Sequence, residues 1–387
     1  MIILKKNADR RVRKGHLWVF SNEVADPSVS ELEPGSVHEL RDAGGEFLGM
    51  VYANPASLIT ARIVSRKRTD IDEDFLRMRI RGALERRRRI YPDRDFYRLV
   101  FSESDLLPGL VVDRYDSVLA VQSLTAGVDA LMDSVLSVLV SELSPEGICL
   151  RNDSPMRALE GLPLDKTVPY GSVPEAVTIE SLGVKFLVDV INGQKTGFFL
   201  DQESNRRLLR GYVSPGARVL DLFSYTGAWG LHAAAAGAEE VTAVDSSRSA
   251  LDLALANAAL NGMQDRFLPV KDSVVNFLKK AKSAWDVIVL DPPAFIKGRN
   301  QIKEGAKGYI DINRRALTKL NTDGILVTCS CSHHLDAATF EEVLLAASRQ
   351  SGRDLRILDV SGQGPDHPFL LTMPETRYLK VMVAQVA

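Results

Sequence analysis

The chain has 387 residues, of which 45% are hydrophobic and 25% charged, and a formal net charge of −2. This composition is typical of a globular protein, and the length exceeds what one hydrophobic core usually supports, so we expect two or three domains. Three cysteines are too few for a disulfide framework. The chain shows neither a signal peptide nor an apolar run near the roughly 20 residues of a membrane span. We therefore predict a cytoplasmic protein that does not enter a membrane.

The amino-terminal part is basic, with 18 Lys and Arg against 13 Asp and Glu in the first 90 residues. Short apolar runs alternate with turn clusters over residues 1–68, which predicts a small β-barrel. Arg11, Arg13 and Lys14 are interleaved with aromatic residues, as in a surface for RNA phosphates and stacked bases. We expect these three cations to contact RNA; the alternative for such a cluster is a solvated face.

Residues 69–180 are predicted to contain a connector helix and a small central α+β domain. The helix covers residues 74–90 and ends in a run of four arginines. Strands are predicted at 109–113, 118–122 and 147–150, and a second helix at 128–143. Cys149 lies in an apolar run, so we expect it to pack in the core.

From residue 181 to residue 387, apolar strands alternate with helical stretches, which predicts an α/β fold with a mostly parallel, doubly wound sheet. Strands are predicted at 217–223, 241–245, 285–290 and 324–328. In an open α/β sheet, ligands bind at the carboxyl ends of the strands. Polar clusters follow these strands at 221–227, 245, 291–295 and 329–334. We expect them to face one crevice.

The turn after the first of these strands favours a nucleoside ligand without phosphates. It lacks G-x-G-x-x-G, so a pyrophosphate held by a glycine-rich loop is disfavoured. Asp221 opens the turn, Gly227 lies within it, and Asp245 would accept from both ribose hydroxyls. S-adenosylmethionine meets this description, with Asp272 placed to accept from the adenine amino group. The alternative is that Asp221 and Asp245 only cap the following helices.

Asp291-Pro292-Pro293-Ala294-Phe295 suits recognition of a flat base. Pro292 and Pro293 fix the backbone and remove amide donors where a base could stack. Asp291 can then bond the ring edge, and Phe295 offers a stacking face. The alternative is an ordinary strand terminator.

The segment Cys329-Ser330-Cys331-Ser332-His333-His334 permits three interpretations: a nucleophile, metal ligands or buried small apolar side chains. Four ligands so close together at a strand end would point in conflicting directions. The other strand ends supply no second ligand cluster, so we expect no metal site.

Four stretches together resemble the ribosomal RNA large subunit methyltransferase I family: Asn192–Gln202, Asp221–Gly227, Asp291–Phe295 and Cys329–Ser332. Its members are S-adenosylmethionine-dependent cytosine-C5 methyltransferases of 23S ribosomal RNA. The resemblance covers nearly the whole chain and implies a PUA RNA-binding barrel, a central α+β domain and a class I, Rossmann-like methyltransferase domain.

The resemblance also assigns cofactor residues. It places Phe223, Ser224, Thr226 and Gly227 around the methionine end, Asp245 on the ribose and Asp272 near the adenine. We also expect Asp291 to contact the cofactor as well as the target base. A hairpin over the same pocket is implied for Gln194, Lys195, Gly197 and Phe198. Lys195 could instead contact an RNA phosphate.

Cytosine C5 is a poor nucleophile, so the implied reaction needs a thiolate that adds to C6 and a partner at N3. Cys331 is the preferred nucleophile, because the family's cysteine stands directly before Ser and the loop, and position 331 lies further out of the strand. Cys329 is the alternative. Asp291 is the expected N3 partner. His333 and His334 could act as the base, bind phosphate or cap a helix.

The competing functions are a guanine-N RNA methyltransferase and a non-catalytic RNA-binding or ribosome-assembly factor. The expected partner is 23S ribosomal RNA, and the sequence leaves a homodimer open.

Overall fold

The computed structural model describes residues 1–25, 27–282, 284–296 and 298–387. It divides into two compact units, each built from separate stretches of the chain. The first unit comprises residues 1–177, 188–200 and 365–376, and the second comprises 178–187, 201–364 and 377–387. None of the helices in these described residues is long and apolar enough to cross a membrane.

The amino-terminal part of the first unit is a five-stranded sheet, as counted in the described residues. Its strands are β1 (Ile2–Ile3), β2 (Trp18–Val19), β3 (Val37–Arg41), β4 (Phe47–Ala53) and β5 (Ala61–Ser65), in the order β1-β3-β4-β5-β2. A short helix, α1 (Arg10–Arg13), precedes β2. Leu40, Val51 and Ile63 contribute to the buried apolar core of this sheet.

A second five-stranded sheet follows in the first unit, again counted over the described residues. Its strands are β6 (Phe96–Phe101), β7 (Leu110–Tyr115), β8 (Val118–Ser123), β9 (Gly147–Asn152) and β10 (Asp165–Gly171), in the order β10-β9-β8-β7-β6. Its helices are α2 (Glu73–Ile90), α3 (Ala126–Ala130) and α4 (Met132–Leu143). The helix predicted at 128–143 therefore forms in two pieces, because the backbone at Leu131 leaves helical geometry (φ −100°, ψ 6°).

The second unit contains a hairpin and a sheet that has seven strands among the described residues. The hairpin pairs β11 (Val177–Ser181) with β12 (Val184–Val188). The sheet contains β13 (Arg218–Leu222), β14 (Glu240–Asp245), β15 (Phe267–Lys271), β16 (Trp285–Leu290), β17 (Leu320–Ser330), β18 (Leu355–Ser361) and β19 (Lys380–Val386). The order is β15-β14-β13-β16-β17-β19-β18. Strands β13 to β17 are parallel, and β19 runs antiparallel to both of its neighbours.

Helices cover both faces of this sheet: α5 (Glu203–Arg210), α6 (Ala228–Ala235), α7 (Arg248–Leu260), α8 (Val274–Lys280), α9 (Ile302–Leu317) and α10 (Ala337–Ser351). Leu220 and Leu222 of β13 share a buried cluster with residues of α8, α9 and α10. Asp221, between them, accepts a hydrogen bond from the Gly230 backbone of α6. Because successive side chains of a strand point to opposite faces, α6 lies on the other side. The predicted mostly parallel, doubly wound α/β sheet is confirmed.

Candidate active site

The central parallel strands of the second unit end at one level. Strand pairing places Leu222 beside Val244 and Leu290, and Leu290 beside Thr328. The residues that follow at this edge are Phe223, Asp245, Asp291 and Cys329. Neighbouring strands lie roughly 5 Å apart, so these residues form a row across the sheet. The strand order reverses between β13 and β16, which is where open α/β sheets bind ligands.

The turn after β13 has an unusual backbone. Phe223, Tyr225 and Gly227 have φ values of 62°, 48° and 78°. Left-handed conformations cost of order 1–3 kcal/mol at residues other than glycine and persist only where the surroundings enforce them. The Ser224 amide donates to the Val244 carbonyl at 3.1 Å, and the Tyr225 amide donates to Asp245 Oδ2 at 3.0 Å. Contacts from β14 therefore hold the turn in place.

Three buried polar atoms in and beside this turn lack a hydrogen-bond partner among the described residues. They are Asp221 Oδ1, Ser224 Oγ and Thr226 Oγ1. Buried polar groups are nearly always paired, so these atoms have hydrogen-bonding capacity that a polar ligand could use. Burial raises the pKa of Asp221 to about 7. The turn residues thus fit a cofactor with a cationic amino group and other polar groups.

Asp245 and Asp272 lie side by side at the ends of β14 and β15. The Asp272 amide donates to the Asp245 carbonyl at 3.2 Å. Asp245 Oδ1 accepts from the Ser247 amide at 2.8 Å, which leaves lone pairs on both carboxylate oxygens. The Asp272 carboxylate accepts from Lys280 at 3.1 Å, and this hydrogen bond lowers its pKa. The structure thus brings together the two aspartates predicted for ribose and adenine.

Asp291 is held by two neutral donors. Its Oδ2 accepts from Trp229 Nε1 of α6 and from Gln202 Nε2, both at 3.0 Å. Gln202 is oriented in turn by Asn205, whose amide nitrogen donates to Gln202 Oε1 at 2.7 Å. Sequence reasoning missed Trp229, for which no local signal exists. Gln202 is the last residue of the Asn192–Gln202 stretch, and the sequence predicted no role for it.

The residues after Asp291 differ in exposure. Pro292 is buried, Pro293 is exposed, and Phe295 is half-buried. The Phe295 ring packs against Tyr309 of α9, with ring centroids 4.7 Å apart. Part of the Phe295 ring is therefore covered by Tyr309 and is not available to a ligand. Contacts of these three residues with an RNA base remain a prediction.

The two cysteines of β17 and the loop after it have different environments. Cys329 lies within the strand and is 0% exposed. Burial, and next the charge of Asp291, raise its pKa well above the usual value. Cys331 follows the last strand residue and is half-buried, with its Sγ 3.9 Å from the Pro292 carbonyl oxygen. Cys331 is thus the cysteine that a ligand at the strand ends could reach.

The loop that carries Cys331 is fixed by its neighbour Ser332. Ser332 Oγ accepts from the Ile296 amide at 3.2 Å and is 3.0 Å from the Tyr309 hydroxyl. Lys380 Nζ, from β19, donates to the Ser332 carbonyl at 2.6 Å. Sequence reasoning missed Tyr309 and Lys380. The only local feature that could have indicated Lys380 is its charge at the start of an otherwise largely apolar strand.

Two histidines, His333 and His334, follow this loop directly. The His333 ring lies 5.5 Å from the Tyr378 ring, centroid to centroid. In the described stretches, no group of three or more His, Cys, Asp or Glu side chains is arranged to hold a metal ion.

The predicted hairpin over the cofactor belongs to the first unit. Gly197 has φ 120°, and its amide donates to the Gln194 carbonyl at 2.8 Å. The Phe198 amide donates to the Tyr115 hydroxyl at 3.2 Å, and Lys195 Nζ lies 4.5 Å from the Phe199 ring centroid. The hairpin is thus anchored to β7. Its role at the cofactor remains a prediction.

The three cations predicted for RNA also lie in the first unit. Arg11 forms an ion pair with Glu23, with 2.9 Å between nitrogen and oxygen, and its guanidinium carbon lies 4.6 Å from the Phe20 ring centroid. Arg13 forms ion pairs with Asp9, Asp42 and Glu46. Lys14 is exposed. Arg11 and Arg13 therefore help to hold their own sheet together, and their contact with RNA stays a prediction.

Comparisons with known proteins agree with this architecture. Residues 2–66 match the model of a PUA-like domain, and residues 153–370 match that of an S-adenosylmethionine-dependent methyltransferase. Proteins named ribosomal RNA large subunit methyltransferase I share 38% identity in Shewanella amazonensis and 35% in a Klebsiella pneumoniae strain. The matches cover 100% of this chain and 99% and 98% of those proteins.

Solved structures share the fold. A proposed S-adenosylmethionine-dependent methyltransferase of Streptococcus mutans superposes with a TM-score of 0.85 and 22% identity, covering 100% of this chain and 99% of that one. A proposed methyltransferase complexed with S-adenosylhomocysteine gives a TM-score of 0.87 and 22% identity over the full length of both chains. The chain is an S-adenosylmethionine-dependent methyltransferase with an amino-terminal PUA-like domain, and it belongs to the ribosomal RNA large subunit methyltransferase I family.

Proposed function

We propose that the protein methylates C5 of a cytosine in 23S ribosomal RNA, with Cys331 as the covalent nucleophile. The observation that carries this proposal is the position of Cys331. It lies at the end of β17, with its sulfur 3.9 Å from the Pro292 carbonyl of the Asp-Pro-Pro segment that ends β16. A base that is hydrogen-bonded to Asp291 would therefore lie within reach of this thiol. The PUA-like domain supports an RNA substrate.

The environments of the two cysteines favour Cys331 over Cys329. A nucleophilic cysteine must ionise and must reach its substrate. Cys329 meets neither condition, because it is fully buried and its pKa is raised by burial and by Asp291. Cys331 is partly exposed and lies outside the strand.

The turn after β13 provides the groups for the cofactor. S-adenosylmethionine supplies a methyl group that is activated by its sulfonium. Asp221, Ser224 and Thr226 offer their buried polar atoms to its methionine end, and Asp245 offers carboxylate oxygens to its ribose. Asp272 lies next to Asp245 for the adenine.

The chemical steps are assigned to two side chains. The Cys331 sulfur adds to C6, and the electron pair of the C5–C6 bond then makes C5 nucleophilic. Asp291, oriented by Gln202 and Trp229, donates a hydrogen bond from its protonated carboxyl group to N3, which fixes the ring and takes up the charge that develops there. S-adenosylmethionine, when bound, would give its methyl group to C5 as the S–CH3 bond breaks, and would leave as S-adenosylhomocysteine. Loss of the C5 proton to water then returns an electron pair that breaks the bond between Sγ and C6 and releases Cys331.

Nucleoside mass spectrometry tests the reaction. Ribosomal RNA from a strain lacking the gene is incubated with the protein and S-adenosylmethionine labelled in the methyl group. We expect labelled 5-methylcytidine. Labelled N-methylguanosine, or no labelled nucleoside, would contradict the proposal.

Substitution of each cysteine tests the nucleophile. Cys331→Ala should lower methyl transfer by at least about a thousandfold, because the covalent route is lost. Cys329→Ala should retain most of the activity. RNA containing 5-fluorocytidine, which cannot lose a proton from C5, should form a stable covalent adduct with wild-type protein and none with Cys331→Ala. Methyl transfer by Cys331→Ala at the wild-type rate would contradict the mechanism.

A further inference from the structure

Lys380 brings a cation to the loop that carries Cys331. Strand β19 runs antiparallel to β17 and places Lys380 directly opposite Ser330. Its side chain reaches along the end of β17, where Nζ donates to the Ser332 carbonyl at 2.6 Å and to the Tyr378 carbonyl at 2.7 Å. The ammonium therefore rests on the residue that follows Cys331.

This ammonium is buried without a carboxylate partner. Lys380 is 8% exposed. Within the described parts of the chain, no Asp or Glu oxygen lies within the 4.0 Å of an ion pair with it, although the nearby charge of Asp336 acts on it. Two carbonyl oxygens accept from two of its three hydrogens but do not neutralise its charge. A buried charge is costly unless it is paired, so a negative group near Lys380 would be strongly favoured.

Among the neighbouring acidic groups, the Cys331 thiol acts most strongly on Lys380. A negative charge on Cys331 raises the pKa of Lys380 more than any other neighbour does, and it opposes the burial that lowers this pKa to about 8. At neutral pH the amine is therefore still mostly protonated. Interaction between two charges is mutual, so an ammonium that gains from a thiolate also stabilises that thiolate.

We propose that Lys380 is a positioning residue that holds the Cys331 sulfur as a thiolate before RNA binds. The inference rests on the proposed role of Cys331. With the proton already lost to solvent, the sulfur forms its bond to C6 directly. The bond breaks with return of the electron pair to the sulfur, which leaves as a thiolate stabilised by the same ammonium.

The remaining groups around the loop do not replace Lys380. Tyr309 bonds Ser332 Oγ, and burial raises its pKa, so it stays neutral. Asp336 bears negative charge and opposes a thiolate, because its hydrogen bond from the Thr339 amide at the start of α10 lowers its pKa. Asp291, at the neighbouring strand end, supplies no positive charge. Arg377 is exposed and screened by solvent, and His333 packs against Tyr378.

Titration of the thiol in RNA-free, full-length protein tests the proposal. The ultraviolet absorbance of the thiolate is recorded against pH for wild-type protein and for Cys331→Ala, and the difference reports Cys331. We expect a wild-type midpoint below the value of about 8.5 for an ordinary thiol. Lys380→Gln, which keeps a hydrogen-bond donor but removes the charge, should raise the midpoint by at least one unit. This is about tenfold less thiolate at a fixed pH well below the midpoint.

Two further variants separate charge from structure. Lys380→Arg should keep the midpoint near the wild-type value, because it retains the cation. Lys279→Gln, on the exposed surface of α8, is the matched control and should change nothing. In methyl transfer, Lys380→Gln should shift the pH profile of kcat to higher pH and leave KM for RNA unchanged.

Several outcomes would overturn the proposal. A wild-type midpoint at or above that of an ordinary thiol does so even if Lys380→Gln does not fold. Equal midpoints in wild type and Lys380→Gln, or equal upward shifts in Lys380→Gln and Lys380→Arg, also contradict it. The titration needs no RNA, so its failure is distinct from retained methylation by Cys331→Ala, which would contradict the proposed function instead.

Discussion

Asp221 connects burial, charge and cofactor binding at a single residue. The carboxyl group accepts one hydrogen bond from Gly230 at 2.9 Å, and its other oxygen has no partner among the described residues. Burial raises its pKa to about 7. The folded protein therefore binds more protons than the unfolded chain between about pH 4 and 7. This group accordingly makes the ligand-free protein less stable as the pH rises through that window.

We expect S-adenosylmethionine to bind more tightly as the pH rises from 6 to 8. The carboxyl is mostly neutral at pH 6 and mostly ionised at pH 8, and the ionised form attracts the cationic amino group of the cofactor. The dissociation constant from calorimetry should fall several-fold over this range. Asp221→Asn should weaken binding by about tenfold and flatten the pH dependence, since an amide does not ionise.

Asp252→Asn provides the control for that measurement. Asp252 is an exposed residue of α7 that pairs with Arg248 at the surface. Its substitution should leave both the affinity and its pH dependence unchanged. A pH-independent affinity in the wild-type protein would contradict the role assigned to Asp221.

At the scale of elements, the close approach of α6 to the sheet is set by Gly230. A Cβ at this position would lie 2.7 Å from Val241 Cγ1 and 3.1 Å from Asp221 Oδ2. The α6 backbone can therefore reach β13 and β14 only without a side chain there. The same approach allows the Gly230 amide to donate to Asp221 and brings Trp229 to Asp291.

We predict that Gly230→Ala destabilises the protein by about 1–3 kcal/mol, because overpacking forces α6 away from the sheet. S-adenosylmethionine affinity should fall as well, since Asp221 and Asp291 lose donors. Gly82→Ala in α2 is the matched substitution: its Cβ would meet nothing closer than the Arg86 side chain at 3.5 Å. It should stabilise by about 0.5–1 kcal/mol. Urea denaturation measures both, and equal effects of the two alanines would refute the packing argument.

The bounds of the connector helix α2 were predicted well from local sequence pattern. The predicted range of 74–90 differs by one residue from the observed Glu73–Ile90. Its start is fixed by Asp72, whose carboxylate accepts from the Phe75 amide at 3.0 Å. Helix starts and apolar periodicity are local properties, so the sequence predicts them well. The break at Leu131 has no comparable signal.

At the scale of the molecule, a buried carboxylate joins two sheets within the first unit. Glu160 is 4% exposed and accepts from Arg62 at 2.8 Å and from Ser57 at 2.6 Å, both next to or within the amino-terminal sheet. It also accepts from Asn54 at 2.9 Å and from the Ala126 amide of α3 at 3.4 Å. The predicted boundary near residue 68 stays a prediction, and this one side chain hydrogen-bonds to groups beside both sheets.

Glu160→Ala should lower the free energy of unfolding of the first unit by about 3–5 kcal/mol, because the Arg62 charge remains buried without its partner. Urea denaturation followed by circular dichroism measures the loss. Glu175→Ala, at an exposed position, is the control and should have little effect. Equal stability of the two variants would show that Glu160 does not link the sheets energetically.

The sequence by itself determined the class of fold, the cofactor and the row of polar residues at the strand ends. These follow from apolar periodicity and from residues that stand directly after a strand, so a parallel sheet collects them at one edge whatever else the chain does. Only the tertiary structure decided what surrounds those residues. Trp229 reaches Asp291, and Lys380 reaches the loop of Cys331, through pairing and packing of elements far apart in the chain. Cys329 is buried and Cys331 is partly exposed, and this difference likewise depends on β19 lying beside β17. No local sequence pattern predicts that pairing.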